Sequence, residues 1–200
     1  VSYTLLLSLI EYKTLVLRGE FEAAEELLPT IPKERHNNMA RFLESRGLVS
    51  DALRLATDPD YKFELAMQLG ELLVARSIID DNSVSAVESK WKQLGESAMS
   101  AGNIQLASAC LSKAGDLSGQ LLLYSATAST VKLQELANLA RHTGKNNVAF
   151  VCLFLLNKID DCIELLCNTG RIPEAAFMSR AFAPSKISRI VDLWRSDLSK

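Results

Sequence analysis

Few side chains in this 200-residue chain have the types and spacing that chemistry requires. The two histidines, His36 and His142, are far apart. Neither has a Cys, His or carboxylate partner at metal-ligand spacing, so no zinc site is expected. Both sit among polar neighbours at helix edges, where a solvated side chain is the expected state. Gly144-Lys145 resembles the end of a phosphate-binding loop. That loop needs a second Gly five residues earlier and Ser or Thr after the Lys. Those positions hold Leu139 and Asn146, and no strand precedes them. The carboxylate pairs Glu25-Glu26 and Asp160-Asp161 are adjacent on helices and point in different directions, so neither forms a shared-proton dyad. No GxSxG elbow, HExxH motif or dinucleotide fingerprint is present. The sequence therefore predicts a non-enzyme with no catalytic, metal or cofactor-binding residues.

Cys110, Cys152, Cys162 and Cys167 all lie in apolar stretches and none forms CxxC. Free cysteine in such a setting behaves as a small core residue. A chain this rich in core formers needs no disulfide framework, and a reducing, cytosolic setting fits. Trp91 and Trp194 have apolar neighbours at helical spacing. Both are expected in the core, with Trp194 an interface anchor if part of it is exposed.

Hydrophobic residues make up 48% of the chain and charged residues 23%, which is globular usage. Lys and Arg number 22 against 24 Asp and Glu, a balance that argues against a nucleic-acid binder. Residues 180–200 carry a mild basic excess, expected on a solvated helix face. The longest apolar run, Val148–Leu156, is about half of the roughly 20 residues a spanning helix needs. Val1–Leu17 is interrupted by Glu11 and Lys13. Both runs are expected to be buried helices. No signal peptide is recognisable, and a start at Val1 suggests a segment of a longer protein.

The elements behind these residues follow a recurring pattern: Gly, any residue, an apolar residue, two of any kind, then Ala. It begins at Gly19, Gly47, Gly70, Gly102 and Gly170, with looser copies at Gly144 and Asn157. Gly, or Asn, takes the left-handed conformation that ends a helix. The apolar residue packs back across the turn. The Ala, in the next helix, permits close approach of antiparallel helices. Repeated, this is the grammar of stacked helical hairpins. Copies fall 28, 23, 32, 42, 13 and 13 residues apart, so the array is degenerate and lacks the 34-residue period of tetratricopeptide repeats.

Strand alternation is absent and helical periodicity runs throughout. The expected fold is all-α, an α-solenoid of stacked antiparallel hairpins (degenerate TPR-like), with residues 1–200 forming one segment. The expected helices are Ser2–Arg18, Phe21–Leu28, Lys33–Ser45, Ser50–Ala56, Tyr61–Leu69, Glu71–Ile79 and Val87–Ala101. They continue as Asn103–Ala114, Gly119–Ala128, Val131–Thr143, Asn147–Leu156, Ile159–Asn168, Ile172–Phe182 and Ser185–Ser199. Pro29–Pro32 and Asp58-Pro59 are stiff corners. The polar, acidic Asp80–Ser89 is the expected flexible loop. In the last helix, Ile187, Ile190, Val191, Trp194 and Leu198 form one apolar stripe, and Ser185 is its expected N-cap. Ile187, Ile190, Val191 and Trp194 are the candidate partner interface.

Several runs together resemble the helical region of the coatomer beta-prime subunit family. They are Val1–Lys33 with Leu28–Lys33, Phe63–Glu71, Lys90–Glu96, Gly144–Phe150, Gly170–Phe177, and Pro184–Val191 with Leu193-Trp194 and Leu198–Lys200. The resemblance covers nearly the whole chain and is weakest at Asn37–Arg46 and Asp80–Ser89. It implies two WD-repeat propellers ahead of Val1, which would bind dilysine sorting signals. It implies that this solenoid is a non-catalytic scaffold of the COPI vesicle coat, pairing with the coatomer alpha subunit and sitting among other coatomer subunits. The setting it implies is cytoplasmic and peripheral on Golgi membranes and COPI vesicles, through Arf-type GTPases, in Golgi-to-ER and intra-Golgi transport. A different helical-repeat adaptor, binding peptides or partner proteins, is the alternative; a peptide groove would need regularly placed Lys and Asn side chains, which are not seen.

Overall fold

A computed structural model of the chain describes residues 7–81 and 87–199. Among these residues every regular element is helical. The chain divides into two compact units, Val1–Gly102 and Asn103–Lys200. The first holds α1 (Leu7–Arg18), α2 (Phe21–Leu27), α3 (His36–Ser45), α4 (Val49–Leu55), α5 (Pro59–Leu69), α6 (Leu72–Asp80) and α7 (Val87–Ser100). The second holds α8 (Ile104–Lys113), α9 (Leu117–Ala126), α10 (Thr130–His142), α11 (Asn146–Leu155), α12 (Ile159–Asn168), α13 (Ile172–Phe182) and α14 (Ile187–Leu198). Within each unit successive helices pack on one another, except that α2 and α3 are joined through the two 3-10 turns between them. Helix α1 also reaches α3, and α9 reaches α11, so hairpins stack. This is the all-α solenoid arrangement the repeat pattern predicts.

The turn that makes each hairpin is visible at Gly47. Its φ of +81° is left-handed, where a Cβ would be strained. Its N–H donates to the Glu44 carbonyl at 2.9 Å and the Leu48 N–H to the Leu43 carbonyl at 3.0 Å. These two bonds close α3 in a Schellman arrangement. Leu48 then serves as N-cap of α4, its carbonyl accepting from Ala52 N–H at 3.1 Å. Ala52 is fully buried.

The same left-handed position recurs at Gly115 (φ +63°) and at Ala128 (φ +51°), two copies absent from the sequence reading. They divide the 42-residue interval between Gly102 and Gly144 into steps of 13, 13 and 16. Gln120 and Leu133 replace the expected Ala five residues on, and Ala128 replaces Gly. Both substitutes are buried, and Gln120 Nε2 donates to the Leu111 carbonyl at 3.2 Å, which satisfies an amide in the core. The apolar residue two after the glycine is less enclosed than expected: Phe21 is 48% exposed and Ile104 41%.

Expected and observed helix ends agree closely, with three differences. Ser185 is not an N-cap. Pro184–Lys186 form a 3-10 turn in which Lys186 N–H donates to the Ala183 carbonyl at 3.0 Å, and Lys186 is the capping residue. The ring of Pro184 presets the helical φ, so the turn starts one step before the serine. Lys33–Arg35 likewise form a separate 3-10 turn ahead of α3. At the Pro29–Pro32 corner Leu28–Thr30 turn once more and Ile31, 4% exposed, drops extended into the core. Of the segment 80–89, Asp80 closes α6 and residues 87–89 open α7; residues 82–86 lie outside the described residues, as does the start of the first expected helix.

The first unit is filled by Met39, Leu43, Phe63, Leu65, Ile79 and Leu94, all at most 2% exposed. Lys90 ties α7 to α5 by pairing with Asp60, its ammonium 5.2 Å from the Phe63 ring centre. The core of the second unit includes Cys110, Leu111, Cys152, Leu153, Cys162 and Ile190.

Candidate partner interface

The side chains singled out for chemistry are dispersed. His36 is half-buried, with Nε2 3.2 Å from the Ile31 carbonyl, so it is not fully solvated as expected; it pins the corner. His142 is exposed at the end of α10. Gly144-Lys145 form the α10–α11 turn, where the Lys145 N–H donates to the Ala140 carbonyl at 2.8 Å. Among the described residues no group of three His, Cys, Asp or Glu is placed to hold a metal ion, and no helix is long and apolar enough to cross a membrane.

Cys110, Cys152 and Cys162 are buried free thiols and Cys167 is half-buried. Burial, with Asp161 adding repulsion, pushes the Cys162 thiol up to about 11. Burial raises Cys152 too. A thiol held protonated is a poor nucleophile, so these cysteines pack rather than react. Tyr61 donates its hydroxyl to Glu44 Oε2 at 2.7 Å; burial first, then this bond, raises its pKa.

The four candidate interface residues lie along α14, which packs on α13. Ile190 is completely buried. Ile187, Val191 and Trp194 are half-buried. Trp194 meets Phe177 of α13 edge-on, with ring centroids 6.3 Å apart. Phe177 itself is 64% exposed. Lys186 pairs with Asp160 at 2.5 Å, and Arg195 lies 3.9 Å from Asp192, which neutralises part of the basic excess near the end of the chain.

Sequence reasoning missed a second group of aromatics. Phe150 stacks on Phe154 at 6.3 Å, and Phe154 meets Phe182 edge-on at 5.7 Å. Val148–Leu156 was expected to be a buried helix. Only Ala149, Cys152 and Leu153 are buried, while Val151, Phe154 and Leu155 are all more than two-fifths exposed. A helix two-layer stack buries one face, so a helix apolar all round must leave apolar surface uncovered. The signal was present in Asn146–Leu155, whose last eight residues contain no polar or charged side chain. Clustered aromatic surface of this kind marks interaction faces.

A family profile described as "COPA/B TPR domain" matches residues 12–195. The chain belongs to the COPA/B TPR domain family. It is 60% identical over all 200 residues to "Coatomer subunit beta'-3" of Arabidopsis thaliana, covering 22% of that protein. It is 58% identical to "Coatomer subunit beta'-1" of Oryza sativa subsp. japonica and 49% identical to "Coatomer subunit beta'" of Rattus norvegicus, end to end, again covering 22% of each. The chain therefore spans about a fifth of the length of the curated relatives it matches, and corresponds to the helical region of coatomer beta-prime subunits.

Proposed function

We propose that this chain is a non-catalytic scaffold segment of a COPI coat subunit, one continuous repeat segment of a longer protein. Its partner in this reading is the coatomer alpha subunit, alongside other coatomer subunits. Its setting is cytoplasmic, peripheral on Golgi membranes and COPI vesicles, in Golgi-to-ER and intra-Golgi transport. The observation that carries the reading is the end-to-end match to coatomer beta' subunits together with uncovered aromatic surface on α11, α13 and α14. Obligate partners bury more than about 1,200 Å² with aromatic-rich centres, and exposed Phe177 and Leu193 beside half-buried Val191 and Trp194 supply such a centre. Ile187 extends that face, and Ile190 supports it from beneath.

The test is calorimetric titration of the alpha-subunit helical region with this chain and with Trp194→Ala and Phe177→Ala variants. Each variant is expected to weaken pairing by at least about tenfold, the loss of an aromatic anchor. Unchanged affinity in both would remove α13–α14 from the interface. Absence of any binding by the unmodified chain would count against the alpha-subunit partner itself.

A further inference from the structure

A cavity of about 200 Å³ opens among α1, α2, α3 and α4. Its walls are apolar: Val16, Leu28, Leu43 and Leu55 among them. Its polar groups are Tyr12 from α1, Glu25 from α2, and Asp51 and Arg54 from α4. Two carboxylates face one guanidinium, so the site keeps an excess negative charge. Arg54 meets both acids through Nη1 alone, at 3.4 Å from Glu25 Oε1 and 3.8 Å from Asp51 Oδ1. Its side chain is 73% exposed, so it lies at the rim. Tyr12, 5% exposed, lines the cavity, and its side chain makes no hydrogen bond to the described residues. With no protein partner, its hydroxyl is free to accept a donor entering the cavity. Burial first, and then the charges of Asp51 and Glu25, raise its pKa, so it stays a neutral phenol.

The volume is below the roughly 300 Å³ at which small-molecule and cofactor pockets begin, and it suits one side chain. We propose that this pocket receives a lysine side chain presented by a partner protein. The unbranched stem lies along the apolar walls as lysine stems do on apolar surface. The ammonium carries three donors and no acceptor. Tyr12 Oη, Glu25 and Asp51, from three different helices, supply the acceptors. The site is separate from the aromatic surface on α13–α14 and does not depend on the coat reading.

The probes are N-acetyl-lysine methylamide, its arginine analogue and its neutral norleucine analogue. Each is titrated into the chain while methyl NMR signals of Val16, Leu28, Leu43 and Leu55 are followed. The lysine probe is expected to shift these methyls and to bind at least about tenfold more tightly than norleucine, the effect of a charged hydrogen-bonded head. Tyr12→Phe is expected to weaken lysine about tenfold and to leave norleucine unchanged. Asp51→Asn, at a half-buried rim position, should weaken lysine without disturbing the fold. Equal binding of lysine and norleucine, tighter binding of arginine, or no shift at these methyls with any probe would each overturn the assignment.

Discussion

Ala128 occupies a left-handed φ of +51°, a conformation in which its Cβ crowds the following carbonyl. Replacing it with Gly relieves that strain, and Ala128→Gly is expected to raise stability by about 1 kcal/mol in urea unfolding. The converse change, Gly47→Ala at φ +81°, should lower it by about 1–2 kcal/mol. The buried thiols give a pH dependence. Cys162 ionises near 11 when folded and near its ordinary value of 9.0 when unfolded. The unfolded chain therefore loses its proton first. The contribution is complete below about pH 9 and disappears as pH rises through about 11, on the order of 2 kcal/mol. Melting temperature should fall more steeply between pH 9 and 11 in the unmodified chain than in Cys162→Ala. Placement of Cys110, Cys152 and Cys162 in the core was legible from their apolar neighbours on a helix, whereas Cys167, expected there too, is only half-buried. The half-buried state of His36 was not: it depends on the Ile31 carbonyl, which the corner presents only once folded.

Among the elements, α14 separates packing from docking. Ile190, completely buried, should cost about 2–5 kcal/mol when cut to Ala. Trp194→Ala should lose less stability and more partner affinity, since its ring is partly exposed. Urea unfolding of both variants beside the binding titration distinguishes the two roles. The fourteen α-helices among the described residues were legible within a few residues, the start of the first lying outside them, because glycine and apolar spacing mark their ends. The repeats at Gly115 and Ala128 were hidden by Gln120 and by the missing glycine. Gln120 needs the Leu111 carbonyl to be tolerated in the core, a contact that residue type does not announce. The outward side of α11 was misread for a different reason. Hydropathy reports how apolar a helix is, and only the packing partners decide how much of it is covered.

For the whole molecule, the charge balance argued against a nucleic-acid binder and the repeat grammar for an α-solenoid, and the family match to residues 12–195 agrees with that grammar. What the sequence could not place was the surface that meets a partner. That depends on which apolar residues remain uncovered, and only the folded arrangement separates Phe177 and Phe154 from Leu153 and Ile190. The pairing claim is tested most directly by light scattering on a mixture of this chain with the helical region of the coatomer alpha subunit, at micromolar concentration after size exclusion. The account predicts a single species whose mass is that of both chains together. Two separate peaks, each with the mass of its component alone, would contradict it.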